Sequence, residues 1–368
     1  MINSLYVHIP FCIKKCLYCD FNSYSNMWSY EDKYIDALLK EADKIEEKSF
    51  NTIFVGGGTP TTLSLYNLER LLKKLSKYSP KEFTFEGNPG TIDIEKLKLL
   101  KYYGVNRLSI GLQAWQNNLL KSLGRIHDLD SFLKTYNEAI KVGFDNINID
   151  LMFAIPDQSM DDWVCTLKNV VKLNPQHLSC YSLIIEEGTP FFKLYNENKL
   201  KLVDEDTDRE MYYFTKDYLS KNGFKQYEIS NFAKHNKECK HNITYWMDEE
   251  YIGIGAGAHS YSKGYRYNNY PNVPKYIDAT QKGNAIQNKV KVTVKDELEE
   301  FMFMGLRMTD GILKKRFKDR FKKDIYDVYG SELCELKKLG LLIEDNNYIK
   351  LSNYGVDVSN KVFEYFIK

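Results

Sequence analysis

No stretch of this 368-residue chain approaches the roughly eighteen apolar residues of a membrane-crossing helix. The opening, Met1-Ile2-Asn3-Ser4, lacks the basic region and apolar run of a signal peptide. Neither sign of charge is in excess. With 51 Lys and Arg against 50 Asp and Glu, the net charge of +1 gives no global field for nucleic acid or an acidic membrane surface. Lys-rich pieces such as Lys314-Lys315-Arg316-Phe317-Lys318 read as solvated helix faces. Low-complexity linkers are missing, and so is any internal repeat beyond a strand–helix period. Cysteine is sparse and odd in number; seven in a chain with no export signal read as reduced thiols in a cytoplasmic protein. What remains is ordinary globular composition, 43 % hydrophobic and 27 % charged, long enough for one large domain and a smaller one. The 28 Tyr and 20 Phe suit an aromatic-lined pocket, and equally a large core.

Three of the thiols are clustered. Cys12-Ile-Lys-Lys-Cys16-Leu-Tyr-Cys19 follows a short strand candidate, Leu5–Ile9, ended by Pro10. A loop this short brings its side chains to one metal centre. Three cysteines suggest an iron–sulfur cube with one iron left open to another ligand; the alternative is a structural zinc ion with a fourth ligand such as His8. Cys165, Cys180, Cys239 and Cys334 are scattered and read as core filler.

From residue 5 to about 190, β-rich runs alternate with amphipathic stretches. The strand candidates are Leu5–Ile9, Thr52–Val55, Phe83–Glu86, Arg107–Gln113, Asn146–Met152 and His177–Ile185. Tyr34, Leu38, Leu39 and Ala42 show helical spacing, Ser159 with Asp162 resembles a capping box, and Gly104 and Gly143 sit where helices should stop. Six such repeats predict parallel strands with right-handed crossovers, an open α/β barrel of (β/α)6 type. A helix from about Asp204 to Asn222 follows, then a polar, aromatic loop region with His235, His241, Tyr245 and Trp246, and a glycine-rich run, Gly253–His259. From about residue 292, short helices and the strand Tyr348–Leu351 predict a winged-helix-like α+β unit. The expected divisions are 1–230, a connecting region 231–290, and 291–368.

Polar residues fall at the ends of the barrel strands. Gly56-Gly57-Gly58-Thr59-Pro60 follows the second strand; its glycines permit close approach of a ligand, or simply form a turn, and it lacks the Lys-Ser/Thr of a P-loop. Glu86, Gln113, Arg125 and Asp150 follow around the rim. Each alone could be a solvated or paired group. Together they offer carboxylates for an ammonium and hydroxyls, and a guanidinium for a carboxylate.

The CxxxCxxC loop, GGGTP and this rim together resemble the radical S-adenosylmethionine superfamily. Tyr6-Val7-His8-Ile9-Pro10-Phe11-Cys12 and Gly305-Leu306-Arg307-Met308-Thr309-Asp310-Gly311-Ile312 are similar to the oxygen-independent coproporphyrinogen III oxidase family, so the likeness spans nearly the whole chain. The resemblance implies a [4Fe–4S] cluster on Cys12, Cys16 and Cys19, with S-adenosylmethionine chelating the open iron. Gly57, Gly58 and Thr59 would contact its methionyl end, and Tyr6, Tyr18, Glu86, Gln113, Arg125 and Asp150 match positions that line the cofactor sites. His127 follows the rim and is expected to shape it; no residue is assigned as a catalyst.

Two features separate this chain from the oxidases. They carry a further cysteine two residues after the third ligand, where this chain has Phe21. His241-Asn242-Ile243-Thr244-Tyr245-Trp246 resembles the HNxxYW motif of the HemW family of haem chaperones. Histidine is a normal axial ligand of haem iron, and Tyr245 and Trp246 would flank a porphyrin face; the alternative is a loop histidine with two aromatics anchoring it to the core. His259, in the glycine-rich run, reads as a packed histidine or a pocket residue, and His235 as a solvated one. The resemblance thus implies a cytoplasmic protein that holds haem as cargo and passes it to haem-accepting proteins. The rival is radical decarboxylation of coproporphyrinogen III propionates, which needs only three cluster cysteines; a radical enzyme on another substrate and a zinc-stabilised binding protein are further alternatives. Dimerisation and peripheral membrane contact through the C-terminal unit are left open by the sequence.

Overall fold

The computed structural model describes residues 2–367, and among the described residues a 12-stranded sheet forms the main body. Its centre is six parallel strands in chain order: β1 (Ser4–Ile9), β2 (Thr52–Gly57), β3 (Glu82–Gly87), β4 (Arg107–Gln113), β5 (Ile147–Phe153) and β6 (His177–Ser182). Helices cover the outer face of these strands, so apolar residues recur there at every second position: Leu5, Val7 and Ile9 are buried, as are Ile53, Val55, Phe83 and Phe85. In the helix Glu31–Ala42, Tyr34, Leu38 and Ala42 face the core at helical spacing. The capping box of the helix Met160–Lys172 forms between Ser159 and Asp162, and Gly143 closes the helix Leu129–Val142 in the left-handed region at φ 98°. The fold is the expected partial barrel.

The sheet does not stop at six strands. β7 (Lys225–Glu228) and β8 (Asn231–Ala233) extend it antiparallel beyond β6. On the other side β9 (Tyr251–Ile254) pairs parallel with β1, followed by antiparallel β10 (His259–Ser262), β11 (Tyr265–Asn269) and β12 (Ile286–Lys291). Much of the stretch read as loop is therefore strand.

The second correction concerns His241, Tyr245 and Trp246, expected in a loop: they lie on a short helix, Lys240–Trp246. Its N-cap residue, Cys239, makes no side-chain cap bond. The cap comes instead from Glu82 at the start of β3, whose carboxylate accepts the N–H groups of Lys240 and His241, each at 3.0 Å. A cap supplied from about 160 positions away leaves no local signal.

The C-terminal unit has its own core, including Phe301, Phe317, Tyr329, Leu333 and Ile349. β13 (Ile312–Leu313), β14 (Leu342–Glu344) and β15 (Tyr348–Leu351) form a small antiparallel sheet against the helices Lys314–Phe321 and Ile325–Lys338, a winged-helix-like arrangement. It clamps the end of the His241 helix. The Arg307 guanidinium lies 4.4 Å from the centre of the Trp246 ring, Arg316 donates to the Met247 carbonyl, and Arg320 pairs with Asp248 at 2.8 Å. Among the described residues no helix is long and apolar enough to cross a membrane.

Candidate functional site

A cavity of about 470 Å³ opens at the C-terminal ends of the barrel strands. Cys12, Cys16, Tyr18, Cys19, Gly57, Gly58, Thr59, Glu86, Gln113, Arg125 and Asp150 all line it, as the strand-end logic of a barrel requires. The cysteine loop is fastened to the barrel: the Cys12 N–H bonds the Tyr24 carbonyl at 3.0 Å, and the Leu17 N–H bonds that of Leu123 at 3.0 Å. Its first thiol, Cys12 Sγ, lies 3.6 Å from Thr59 Oγ1. Gly58 is required by close approach, since an added Cβ would stand 2.6 Å from the Phe11 carbonyl oxygen and 3.1 Å from Cys12 Sγ.

The charged groups divide by environment. Arg125 donates to Cys16 Sγ at 3.5 Å, to the Gly111 carbonyl at 2.8 Å and to Asn88, and its Nε is buried without a partner. Gln113 sits in the left-handed region at φ 73°, at a register shift in β4, and accepts from the Tyr181 hydroxyl at 2.9 Å. The bulge re-aims its side chain. Burial, then the neighbouring Asp150, pushes the Glu86 carboxyl up to about 8, although it accepts the Gly57 N–H at 3.3 Å. Burial also raises Asp150, against hydrogen bonds from Asn148 at 2.7 Å and Ser109 at 3.2 Å. A raised carboxyl pKa means the folded chain holds a proton that the unfolded chain loses above about 4.5. Glu86 should therefore make stability fall as pH rises from about 4.5 to about 8. Denaturant midpoints across that window should slope downward, and Glu86→Gln should flatten the slope; equal slopes would contradict the assignment.

The donor set fits a cube better than an ion. Cys12, Cys16 and Cys19 line the cavity together and are the only thiols among its lining residues, one short of the four that fill a cube. His8, the sequence candidate for a fourth zinc ligand, has both ring nitrogens engaged: Nε2 with the Asn22 carbonyl at 2.8 Å and Nδ1 with the Tyr6 hydroxyl at 3.0 Å. A cube held by these three thiolates would leave one iron for a ligand from the cavity.

Sequence reasoning missed several cavity residues. Asn88 donates to Thr59 Oγ1 at 2.8 Å and accepts from Arg125, joining GGGTP to the rim; it stands in Glu86-Gly87-Asn88-Pro89-Gly90, which was the available signal. Ser109, Ser179, Tyr181, Asn231 and Asn242 also line the cavity and had none. Tyr6 does not line it. His127 is buried behind the rim against the Leu112 carbonyl, while His235 and His259 are exposed and away from the cavity.

The helix Lys240–Trp246 stands at the opposite end of the barrel, where strands begin, and only its Asn242 reaches the cavity. His241 is fully buried, which pushes its pKa down to about 3 and keeps the ring neutral. Thr52 Oγ1 donates to Ser4 Oγ at 2.9 Å, so it accepts from His241 Nδ1 at 2.8 Å. Nε2 then accepts the Tyr245 O–H at 2.8 Å. The lone pair that would ligate an iron is occupied. Trp246 carries a buried Nε1–H with no partner.

The Radical SAM superfamily pattern matches residues 6–170, and the HemN C-terminal domain pattern matches residues 292–358. A Bacillus subtilis (strain 168) protein named Heme chaperone HemW is 39 % identical over 376 aligned residues, covering 100 % of this chain and 99 % of its own. A Lactococcus lactis protein of the same name is 40 % identical, covering 99 % and 97 %. The solved structure described as coproporphyrinogen III oxidase (HemN) from Escherichia coli superposes with a TM-score of 0.86 over 100 % of this chain and 90 % of that one, at 24 % identity, a likeness of fold.

Proposed function

The chain belongs to the HemW family of the radical SAM superfamily, and from that premise we propose that it is a haem chaperone that carries a [4Fe–4S] cluster and S-adenosylmethionine. Full-length similarity to the HemW proteins carries the reading. Phe21 supports it: the residue that stands where the oxidases have their extra cysteine is 63 % exposed at the lip of the cavity.

In this reading Cys12, Cys16 and Cys19 hold the cluster, which when bound supplies an open iron for the amino and carboxylate groups of S-adenosylmethionine. Gly57, Gly58 and Thr59 bring backbone and a hydroxyl close to that ligand. Glu86 and Asp150 present carboxyls to its ammonium and hydroxyls, Arg125 and Gln113 fix the far wall, and Tyr18 packs beside the cysteines. A volume of about 470 Å³ suits one small cofactor beside a cluster, within the usual range for a single-ligand pocket of about 300–1,000 Å³. Haem would be cargo at the His241–Trp246 helix, delivered to acceptor proteins; because His241 is buried with Nε2 bonded to the Tyr245 O–H, this helix would have to open and give up that bond before iron could bind there.

Anaerobic reconstitution tests the first half. The protein should take up about four iron and four sulfide per chain, and Cys16→Ser should lose most of both. Zinc at one per chain, with no sulfide, would overturn the cluster. Soret titration with haem tests the second half, and absence of saturable binding would overturn it.

A further inference from the structure

The His241 helix and the cysteine loop lie at opposite ends of the barrel, yet one face of β1 joins them. Ser4, Tyr6 and His8 project from that face at the two-residue period of a strand, and the parallel register sets them beside Thr52, Phe54 and Gly56 of β2. On the lowest rung, His241 Nδ1 donates to Thr52, Thr52 to Ser4, and Ser4 contacts Thr244 Oγ1 at 2.9 Å. The middle rung is aromatic. The His241 ring stacks on Phe54 with centroids 5.3 Å apart and lies 6.5 Å from Tyr6.

The upper rung is directional. A carbonyl only accepts, so His8 Nε2 donates to Asn22 at 2.8 Å, and neutral His8 takes the Tyr6 O–H on Nδ1 at 3.0 Å. Asn22, three residues beyond Cys19, is itself tied down by bonds from its side chain to the Ala256 and Pro271 carbonyls. Gly57 leaves the His8 ring no slack, since a Cβ there would stand 2.5 Å from Cε1. At the other end, a seven-residue helix is too short to persist unaided and depends on Glu82, Thr52 and the arginine clamp.

We infer that Tyr6 and His8 are positioning residues that couple occupation of the cysteine loop to the order of the His241 helix. A helix of marginal stability is joined to the cysteine loop by a contiguous path: ring contacts link His241 to Phe54 and Tyr6, and hydrogen bonds run from Tyr6 to His8 and from His8 to Asn22. The inference rests on the cluster reading above and adds to it the route by which the two ends of the barrel communicate.

Hydrogen exchange on the full chain tests it, with backbone amides of residues 240–246 as the readout and samples compared at equal iron loading. In the unsubstituted protein, cluster reconstitution with S-adenosylmethionine should slow exchange in this segment by about tenfold, a coupling of ordinary size. Tyr6→Phe keeps the ring and deletes only the bond to His8, and should cut that response to less than about twofold, as should His8→Gln. Tyr78→Phe, whose hydroxyl bonds the Ala42 carbonyl away from this path, should keep the full response. An equal response in Tyr6→Phe and the unsubstituted protein overturns the inference, as does a fully loaded protein with no response. Failure to take up any cluster overturns the underlying reading instead.

Discussion

Replacing His241 by alanine should lower the unfolding free energy by about 3 kcal/mol and abolish saturable haem binding. The imidazole is fully buried and bonded on both nitrogens. Its loss leaves the Tyr245 O–H unpaired in the interior, at about 1–3 kcal/mol, takes one donor from the Thr52 hydroxyl, which keeps its bond to Ser4, and leaves a cavity against Phe54. Stability loss alone would fit a purely structural histidine, so a second variant is needed. Tyr245→Phe removes the proton that occupies Nε2 while keeping the ring. It costs the fold about 1 kcal/mol and should tighten haem binding about fivefold, because the iron no longer displaces a hydrogen bond of that size. Denaturant midpoints and Soret titrations on both variants check this. Unchanged or weaker binding in Tyr245→Phe would take the axial role away from His241.

Gly57→Ala carries the other large effect. The residue sits at φ +112°, where a side chain is strained, and its Cβ would stand 2.5 Å from the His8 ring. Left-handed strain of about 1–3 kcal/mol adds to overpacking of similar size, for a total near 4 kcal/mol. His8 can yield only by giving up the Asn22 carbonyl, so the cysteine loop should loosen and iron retention on dialysis should fall severalfold. The measurement is iron content per folded chain beside the denaturant midpoint. A variant with unaltered stability and iron would show that His8 has room the packing denies it.

The barrel was legible because its signals are local. Six apolar strands at a regular period, helix stops at Gly104 and Gly143, and the Ser159–Asp162 box all lie within a few residues of what they specify. The cavity was legible for a related reason: in a barrel, strand ends converge, so Gly57, Glu86, Gln113 and Asp150 could be gathered from sequence position alone. The residues that escaped are set by contacts across the chain. The helix at His241 depends on the Glu82 carboxylate, and Asn242 reaches the cavity only because that helix closes the base of the barrel. Asn231–Ala233 escaped because it is only three residues long and pairs with β6 about fifty positions back, whereas His259–Ser262 and Tyr265–Asn269 form a local hairpin whose Lys263-Gly264 turn was an available signal. Tyr6 illustrates the limit: the motif around it was plain, while its place, bonded to His8 and packed near His241, was not.

The central claim is that this chain binds haem and does not oxidise a porphyrinogen. One cluster-reconstituted, anaerobic sample divided between haem titration and a coproporphyrinogen III assay with S-adenosylmethionine and a reductant tests it most directly. The account predicts a saturable Soret shift at about one haem per chain and no protoporphyrinogen IX. Turnover to protoporphyrinogen IX, with no saturable haem binding, would contradict it.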